Sequence, residues 1–280
     1  MAEAVKVAVR RGGDGAGGAP TKKLTVRFGR GRLGGTTYLD ALAQRALRAG
    51  RPVILVDADV RNPSLSRLYP PARDGDGRPV PGTGARVPDG EGIEAFDAMM
   101  KAVLDELARH PGPVSALLDI GGGQDRTLAE FIRDLNLSRY CRRIGVLPVA
   151  VYMVGPDEDD LKHALSVRDA GLFDNDNAVL VMNEALVKRS QSPMAAFAAV
   201  RGNGEYQAWV LEGAARPVWM RNLGCLETVR ALGLGLAEAA EGKAGAGGRR
   251  LGPTEAWQVE DWMDHLAEQH EKAEALDLLP

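Results

Sequence analysis

A glycine-rich stretch near the amino terminus has the spacing of a phosphate-binding loop. Residues 29–37 match the pattern G-x-x-x-x-G-K-T at Gly29, Gly34 and Thr36, but Gly35 stands where the pattern has lysine. Backbone N–H groups in such a turn form an anion-binding concavity, and the free N–H groups at the start of a following helix add to it. The sequence therefore predicts a phosphate site that lacks its usual lysine.

Other side chains of the loop offer part of the missing chemistry. Arg30 and Arg32 carry positive charge, and guanidinium groups bind phosphate well. Thr36 or Thr37 offers a hydroxyl for a magnesium ion. Gly35, however, cannot neutralise charge on a transferring phosphate as lysine does. Taken alone, the segment is also consistent with a flexible basic turn. The choice between this and a phosphate-binding loop depends on the elements around it.

The surrounding residues predict a strand, the loop, a helix and a second strand. Residues 24–28 are a short apolar run, residues 36–49 carry apolar side chains at helical spacing, and residues 52–59 are an apolar run that ends in two carboxylates. Ligands of open parallel sheets bind beyond the carboxyl ends of the strands. Asp57 and Asp59 are therefore expected beside the loop, both facing one magnesium–phosphate site.

A third apolar run, residues 114–119, ends in Asp119 and precedes glycines at 121–123. An aspartate at this position suits a magnesium-water ligand, and the glycines allow backbone to approach a terminal phosphate. By itself the segment is also an ordinary strand end with a turn. With the two preceding elements it predicts an α/β fold: a doubly wound, mostly parallel sheet flanked by helices, of the P-loop NTPase type.

The order of these motifs resembles the ParA/MinD family of P-loop ATPases, in the SIMIBI class, which carry a deviant Walker A loop of the form K-G-G-x-G-K-T-T. Against that loop, Arg30 falls at the signature lysine, Arg32 replaces a glycine and Gly35 replaces the second lysine. Residues 53–59 resemble the second motif of the family, and residues 117–123 resemble its Walker B segment. The resemblance extends from about residue 24 to residue 232.

The resemblance implies roles for individual residues. The signature lysine of the family reaches the nucleotide of a partner subunit, which implies a catalytic role for Arg30. The resemblance also implies catalytic roles for Asp57 and Asp59, at the metal and the attacking water. It implies a metal site formed by Thr36, Asp57 and Asp119. It also implies nucleotide contacts along the loop, from Gly29, Gly31, Arg32, Leu33, Gly34, Gly35, Thr36 and Thr37.

Later segments fit the same template. Residues 143–154 predict a strand that is bent or interrupted at Pro148, and residues 178–183 predict another buried strand. Asn183, at its end, resembles the adenine-edge residue of the family, since an amide can both donate to and accept from adenine; it fits the cap of a turn equally well. Residues 216–220 predict the last strand, with Arg221 beside the base. Residues 223–236 predict a helix.

The implied function is a nucleotide-dependent switch. The resemblance implies ATP and Mg²⁺ as cofactors, a homodimer, and DNA or a partner protein as cargo, in plasmid or chromosome partition or in plasmid maintenance or transfer. Loss of a cation that acts on the transferring phosphate removes transition-state stabilisation, so we expect slow or absent hydrolysis. The alternative is a non-enzymatic scaffold that keeps the fold and binds a protein partner.

Composition is consistent with one domain and tails. The chain has 280 residues, 45% of them hydrophobic, and 35 basic against 38 acidic residues give a net charge of −3, which argues neither for nor against nucleic acid. Cys141 and Cys225 show no metal-binding spacing and suit a reducing compartment. No signal peptide or membrane-spanning run is evident, which predicts a cytoplasmic protein, with association with the nucleoid as a further option.

Segments outside the predicted domain, residues 24–240, have their own composition. Residues 1–23 carry five basic and two acidic side chains; we interpret them as a flexible basic arm, either a solubilising leader, which we favour, or a DNA contact. Within the domain, residues 70–92 predict a surface loop.

The carboxyl-terminal part predicts a glycine-rich linker at residues 241–253 and an acidic helix at residues 254–280, with Thr254 as its N-cap. That helix either docks on a partner or on its own core, or is solvated.

Overall fold

The structure, a computed structural model, describes residues 22–80, 82–121, 125–211 and 215–280. Over these residues six strands form one parallel sheet in the order β2-β3-β1-β4-β5-β6. The strands are β1 (Lys22–Phe28), β2 (Val53–Asp57), β3 (Val114–Asp119), β4 (Val146–Val154), β5 (Ala178–Asn183) and β6 (Ala215–Met220). The predicted α/β class, a doubly wound parallel sheet flanked by helices, is confirmed.

Helices cover both faces of the sheet. They are α1 (Gly35–Arg48), α2 (Ser64–Leu68), α3 (Ile93–Arg109), α4 (Asp125–Leu135), α5 (Leu137–Arg143), α6 (Glu158–Asp169), α7 (Pro193–Ala196), α8 (Ala198–Gly202), α9 (Gly204–Leu211), α10 (Leu226–Ala231), α11 (Leu236–Ala240) and α12 (Pro253–Lys272). One apolar core packs α3 to α6, α8 and α9 against one face, and a second packs α1, α2 and α10 to α12 against the other. None of the helices in the described ranges combines the length and apolar character that crossing a bilayer requires.

The central strand β1 has two different faces. Leu24, Val26 and Phe28 belong to the first core. Between them alternate three side chains that are buried although polar: Lys23, Thr25 and Arg27. Successive strand residues point to opposite faces, so this polar stripe faces α1. Lys23, which the sequence assigned to the basic arm, is thereby a buried strand residue, as part of β1; residues 1–21 of that arm lie outside the described residues.

The strand order brings three charged residues into register. β1 lies at the centre of the sheet, with β3 on one side and β4 on the other. Arg27 pairs in register with Asp119, and Asp119 pairs with Asp57. Ligands of such sheets bind at the carboxyl ends of strands where the chain reverses its direction of strand addition. The register therefore places one guanidinium and two carboxylates side by side at that edge.

Two predicted elements differ from the structure. Pro148 lies inside β4 and does not end it. β5 pairs with β4 only from Ala150 onward, so at Pro148 the β5 side of β4 has no ladder in which an N–H would be needed. The helix predicted for residues 223–236 is two helices, because Gly233 adopts φ 64° directly after Leu232, the C-cap of α10.

The last long helix packs on the domain. Its N-cap is Gly252 rather than the predicted Thr254, because Pro253 occupies the first helical position, where its missing N–H costs nothing. Val259, Trp262 and Leu266 of α12 are buried against α11 and β6, whereas Trp257 is exposed. The segment before it contains a short 3-10 turn, and its Ala246 N–H donates to the carbonyl of Leu232 at 2.8 Å.

Candidate functional site

A cavity of about 480 Å³ opens at the carboxyl edge of the sheet. The glycine-rich loop and the start of α1 form one wall, and residues that follow β2 and β3 form the opposite wall. The lining residues are Arg27, Arg30, Gly31, Arg32, Leu33, Gly34, Gly35, Thr36, Thr37, Asp59, Asn62, Ser64, Asp119, Glu227 and Arg230. Most residues that the sequence proposed for a phosphate site therefore meet around one space.

Backbone geometry explains two glycines of the loop. Gly34 has φ 79°, and a Cβ built on it would lie 2.7 Å from the Nδ2 atom of Asn183. Gly29 has φ 148°, and a Cβ there would lie 2.9 Å from the Cβ of Met153. L-residues rarely adopt such φ values. The loop shape thus depends on glycine at both matching positions, while Gly31 faces open space.

Gly35, the residue in place of lysine, is a glycine for a different reason. It is the first residue of α1, and a Cβ built on it would lie 2.5 Å from Cδ and 2.8 Å from Cζ of Arg27, with Nε closer still. The Arg27 side chain therefore occupies the space into which a side chain at position 35 would project. It is 7% exposed, and its Nη1 donates to the carbonyl of Gly29 at 3.3 Å.

Asp119 is already engaged on both carboxylate oxygens. Its Oδ1 accepts from Nε of Arg27 at 3.0 Å and also from Nη2 of the same guanidinium. Its Oδ2 accepts from the hydroxyl of Thr36 at 2.6 Å. Two of the three predicted magnesium ligands are thus bonded to each other.

The bonds of Asp119 determine whether a divalent cation can bind beside it. Magnesium binds through carboxylates and phosphate oxygens at short distance, and here the Arg27 guanidinium covers Oδ1 of Asp119. A cation would have to displace that guanidinium, so the residues as placed do not fit a metal ion beside Asp119. Over the described chain, no group of three or more His, Cys, Asp or Glu side chains is arranged to hold a metal ion.

The two aspartates after β2 have different surroundings. Asp57 is completely buried; it accepts from the N–H of Ser66 at 2.8 Å and from that of Asp59 at 3.3 Å. Burial raises the pKa of Asp57 to about 6, and the nearby charge of Asp119 adds to the rise. Asp59 lines the cavity and accepts from the N–H of Asn62 at 3.0 Å. Asp57 thus fixes the backbone that follows β2, and Asp59 faces the cavity.

Of the two loop arginines, Arg30 is paired with a carboxylate, and Arg32 forms no ion pair with the residues that the structure describes. Nη1 of Arg30 lies 3.3 Å from Oδ1 of Asp160, on α6 of the same chain. Burial raises the pKa of Asp160, and the Arg30 guanidinium opposes that rise. Arg32 has a left-handed backbone, φ 69°, and its side chain is exposed at the cavity mouth.

The two residues predicted beside the base, Asn183 and Arg221, both form hydrogen bonds within the chain. Asn183 donates to the carbonyl of Leu33 at 2.8 Å and accepts from the N–H of Ala185 at 2.9 Å. Arg221 donates to Oδ2 of Asp261 at 2.8 Å. Thus Asn183 braces the loop and caps a turn, the second of the two interpretations that its sequence allowed, and Arg221 fastens α12.

Three residues at the site were missed from the sequence: Arg27, Arg230 and Asp160. Arg230, on α10, donates to the hydroxyl of Thr37 at 2.6 Å and so reaches the start of α1. Alternation in residues 23–28 carried a signal for Arg27, since a charged residue between apolar neighbours of a buried strand has to face the opposite side. Nothing local pointed to Arg230 or Asp160. Gly122 and Gly123, expected near a phosphate, lie outside the described residues.

Fold and loop together define an α/β protein of P-loop NTPase-like architecture. Similar solved structures are the MinC:MinD cell division protein complex of Aquifex aeolicus (14% identity, TM-score 0.47, covering 88% of this chain and 96% of that chain) and MinD of the same organism (14%, 0.45, 88% and 97%). Another is a nucleotide-binding protein of Archaeoglobus fulgidus in complex with ADP (17%, 0.43, 76% and 87%). Likeness at this level carries no information about ligand or activity. No protein-family model and no curated protein sequence match the chain.

Proposed function

We propose that this chain is a nucleotide-binding protein of the ParA/MinD kind and that its loop cavity holds the phosphates of ATP. The supporting observation is the cavity itself, which combines the glycine-rich loop, the N-terminus of α1 and four arginine side chains at the carboxyl edge of the sheet. Backbone N–H groups and guanidinium groups both suit a polyanion. The volume of about 480 Å³ lies within the range of small-ligand sites.

Hydrolysis is proposed to be slow or absent. The carboxylates that would orient water or metal are committed: Asp57 is buried on backbone N–H groups and Asp119 on Arg27 and Thr36. Of these three aspartates, only Asp59 and Asp119 line the cavity, and Asp119 is the one bonded to Arg27 and Thr36. Asp59 is therefore the one whose carboxylate faces the cavity without those bonds. Activation of water needs a base within hydrogen-bond reach of it. The three aspartates therefore offer little general-base catalysis.

The biological role that we propose is a nucleotide-dependent switch in plasmid or chromosome partition, or in plasmid maintenance or transfer. Its support is the motif resemblance, with residues 30–37, 53–59 and 117–123 in the family order. In that role the chain forms a homodimer and carries DNA or a partner protein. Arg30 has to leave Asp160 to reach a second copy, which is a small cost because the Arg30 side chain is half exposed.

A second candidate is a scaffold that keeps the fold without turnover. Gly35 and the doubly engaged Asp119 favour it. The two candidates share the fold and differ in whether a nucleotide changes the state of the protein.

Calorimetric titration with ATP, ADP and GTP, followed by a phosphate-release assay, tests the proposal. We expect saturable ATP binding and phosphate release no faster than the background of the assay. Gly34→Ala is expected to abolish binding, because a Cβ at that position meets Asn183; Gly31→Ala is the matched control, because its Cβ meets open space. Absence of binding by all three nucleotides would overturn the nucleotide proposal and leave the scaffold.

Light scattering after gel filtration, with and without ATP, tests the switch. A mass that doubles only with ATP supports it, and Arg30→Ala is then expected to weaken the dimer. A mass that is the same in both conditions favours the scaffold. A mobility-shift assay on the full chain and on a chain without residues 1–21 tests the DNA role; equal DNA affinity of the two would exclude a contribution of that arm.

A further inference from the structure

The phosphate cavity has a buried cation that comes from a strand rather than from the loop. Arg27 is the penultimate residue of β1, and it points toward α1 with the polar stripe of that strand. Its guanidinium lies between the carbonyl of Gly29, at 3.3 Å, and the carboxylate of Asp119, and it lines the cavity. A guanidinium, ion-paired with Asp119, is therefore fixed beneath the loop, although the loop has no lysine.

Gly35 is the reason why Arg27 can be there. The Cβ of any other residue at position 35 would lie within 2.8 Å of three side-chain atoms of Arg27, which lie in or next to a buried and bonded guanidinium that has little room to yield. The backbone at Gly35 is helical, so conformational freedom does not explain the glycine. Arg27 and a side chain at position 35 exclude each other sterically.

The hydrogen bonds that Arg27 makes leave some of its N–H groups for an anion. Both of its bonds to Asp119 go to a single oxygen, Oδ1, and its remaining partner, the carbonyl of Gly29, is neutral. Guanidinium carries five N–H donors in a planar fork, so donors remain for a phosphate in the cavity. Arg30, Arg32 and Arg230 face the same space.

We propose that Arg27 is the phosphate-binding cation of this site, in the role that a lysine at position 35 would otherwise have, and that Gly35 admits it. The inference rests on the proposed nucleotide function and adds the residue that determines affinity for the phosphates. Lysine is a point charge, whereas the guanidinium also binds two phosphate oxygens at fixed geometry.

A swap of the cation between the two positions tests this proposal. Binding of ATP and of inorganic tripolyphosphate, which has no base, is measured by calorimetry. Arg27→Gln is expected to weaken both about 10- to 100-fold, the usual effect of one charged hydrogen-bonding group. Gly35→Lys alone is also expected to weaken binding, because the new side chain collides with Arg27. The double variant Arg27→Ala/Gly35→Lys is expected to regain most of the affinity.

Two controls remove simpler explanations. Gly112→Lys adds the same charge in open space outside the cavity, and it is not expected to rescue Arg27→Ala. Arg126→Gln removes one positive charge from the exposed surface of α4 and is expected to leave affinity unchanged. Since Arg27→Gln leaves Asp119 buried without its partner, Arg27→Gln/Asp119→Asn is measured as well, because it removes both members of the pair. It is expected to lose tripolyphosphate binding while remaining folded.

The outcomes separate this inference from the function on which it rests. If the wild-type chain binds neither ATP nor tripolyphosphate, both proposals fail. If it binds ATP and folded Arg27→Gln and Arg27→Gln/Asp119→Asn bind equally well, the nucleotide function stands and the role of Arg27 is refuted. If Arg27→Ala/Gly35→Lys binds no better than Arg27→Ala, the proposed exchange of positions is refuted.

Discussion

The side-chain amide of Asn183 donates to the carbonyl of Leu33 at 2.8 Å, which ties the end of β5 to the phosphate loop. Asn183 is 2% exposed, and its oxygen accepts from the N–H of Ala185. A Cβ on Gly34 would touch the same amide. The amide is thus a structural brace of the loop, and its oxygen already accepts one hydrogen bond from within the chain.

Asn183→Ala is therefore expected to destabilise the protein without changing base preference. The carbonyl of Leu33 and the N–H of Ala185 lose a buried partner, which costs about 1–3 kcal/mol. Urea unfolding measures the loss, and Asn222→Ala, at an exposed site, is the control, with an expected change below about 0.5 kcal/mol. ATP and GTP affinities should fall in equal proportion. A selective loss of ATP binding would return Asn183 to the role of an adenine contact.

Magnesium is expected to matter little for binding. Arg27 and Thr36 already bond both oxygens of Asp119, and the arginines of the cavity provide the charge that a metal would bring to the phosphates. ATP titrations in EDTA and in excess Mg²⁺ should give the same affinity within error. A strict requirement for Mg²⁺ would mean that Arg27 leaves Asp119 when nucleotide binds, and Asp119→Asn would then reduce binding only in the presence of the metal.

The sequence carried the order of the elements but not the contacts between them. The apolar runs ending in Asp57 and Asp119, and the glycines at 29 and 34, are local patterns, and each was found near its predicted place. The pairing of Arg27 with Asp119 depends on which strands are neighbours, because β3 rather than β2 lies next to β1. Strand order is not a local property, so the partner of Arg27 could not be read from the residues around it.

The same limit applies to residues that come from distant parts of the chain. Arg230 reaches Thr37 across 193 positions, and Asp160 meets Arg30 across 130. By residue type alone, many arginines and aspartates of the chain were equally possible partners for Thr37 and Arg30. The helix break was missed although it has a local signal: Gly233 and Gly235 divide α10 from α11, whereas helical spacing continues through them and predicted one helix.

Two buried groups predict opposite effects of pH on stability. Burial lowers the pKa of His270, whose ring bonds the hydroxyl of Tyr38 at 2.7 Å, to about 4, with Arg45 adding to the effect. Between pH 4 and the ordinary histidine value near 6.5 the unfolded chain binds the extra proton, so this contribution to stability is present above about 6.5 and is lost as pH falls through 4.

The pKa shift of Asp57 has the opposite effect on how stability depends on pH. Its folded pKa of about 6 lies above its unfolded value of 3.8, so its contribution is present below the unfolded value and is lost as pH rises through 6. Urea midpoints between pH 4 and 6.5 should therefore rise with pH more steeply in Asp57→Asn than in wild type, and should fall with pH in His270→Gln. The double variant should lose both of these contributions and keep only the trend that the remaining groups, such as Asp160, give. Parallel profiles of wild type and both single variants would contradict the assignment.

Trp262 is expected to be the residue that fixes α12 to the domain. Its side chain is 3% exposed, and its Nε1 donates to the carbonyl of Arg221 at 2.7 Å, so it connects α12 to the loop after β6. Trp262→Ala should reduce the free energy of unfolding by about 3–5 kcal/mol, as large core truncations do. Trp262→Phe keeps most of the ring volume and loses the hydrogen bond, at about 1 kcal/mol.

Trp257 provides the matched comparison within the same helix. It is 62% exposed, so Trp257→Ala should change the free energy of unfolding by less than about 0.5 kcal/mol. Equal effects of the two alanine variants in urea unfolding would mean that α12 contributes no fixed packing. Because Arg221 also holds Asp261 of α12, an undocked helix would free that arginine, which the family resemblance places beside the base. Trp262→Ala should then change nucleotide affinity as well as stability, and Trp257→Ala should change neither.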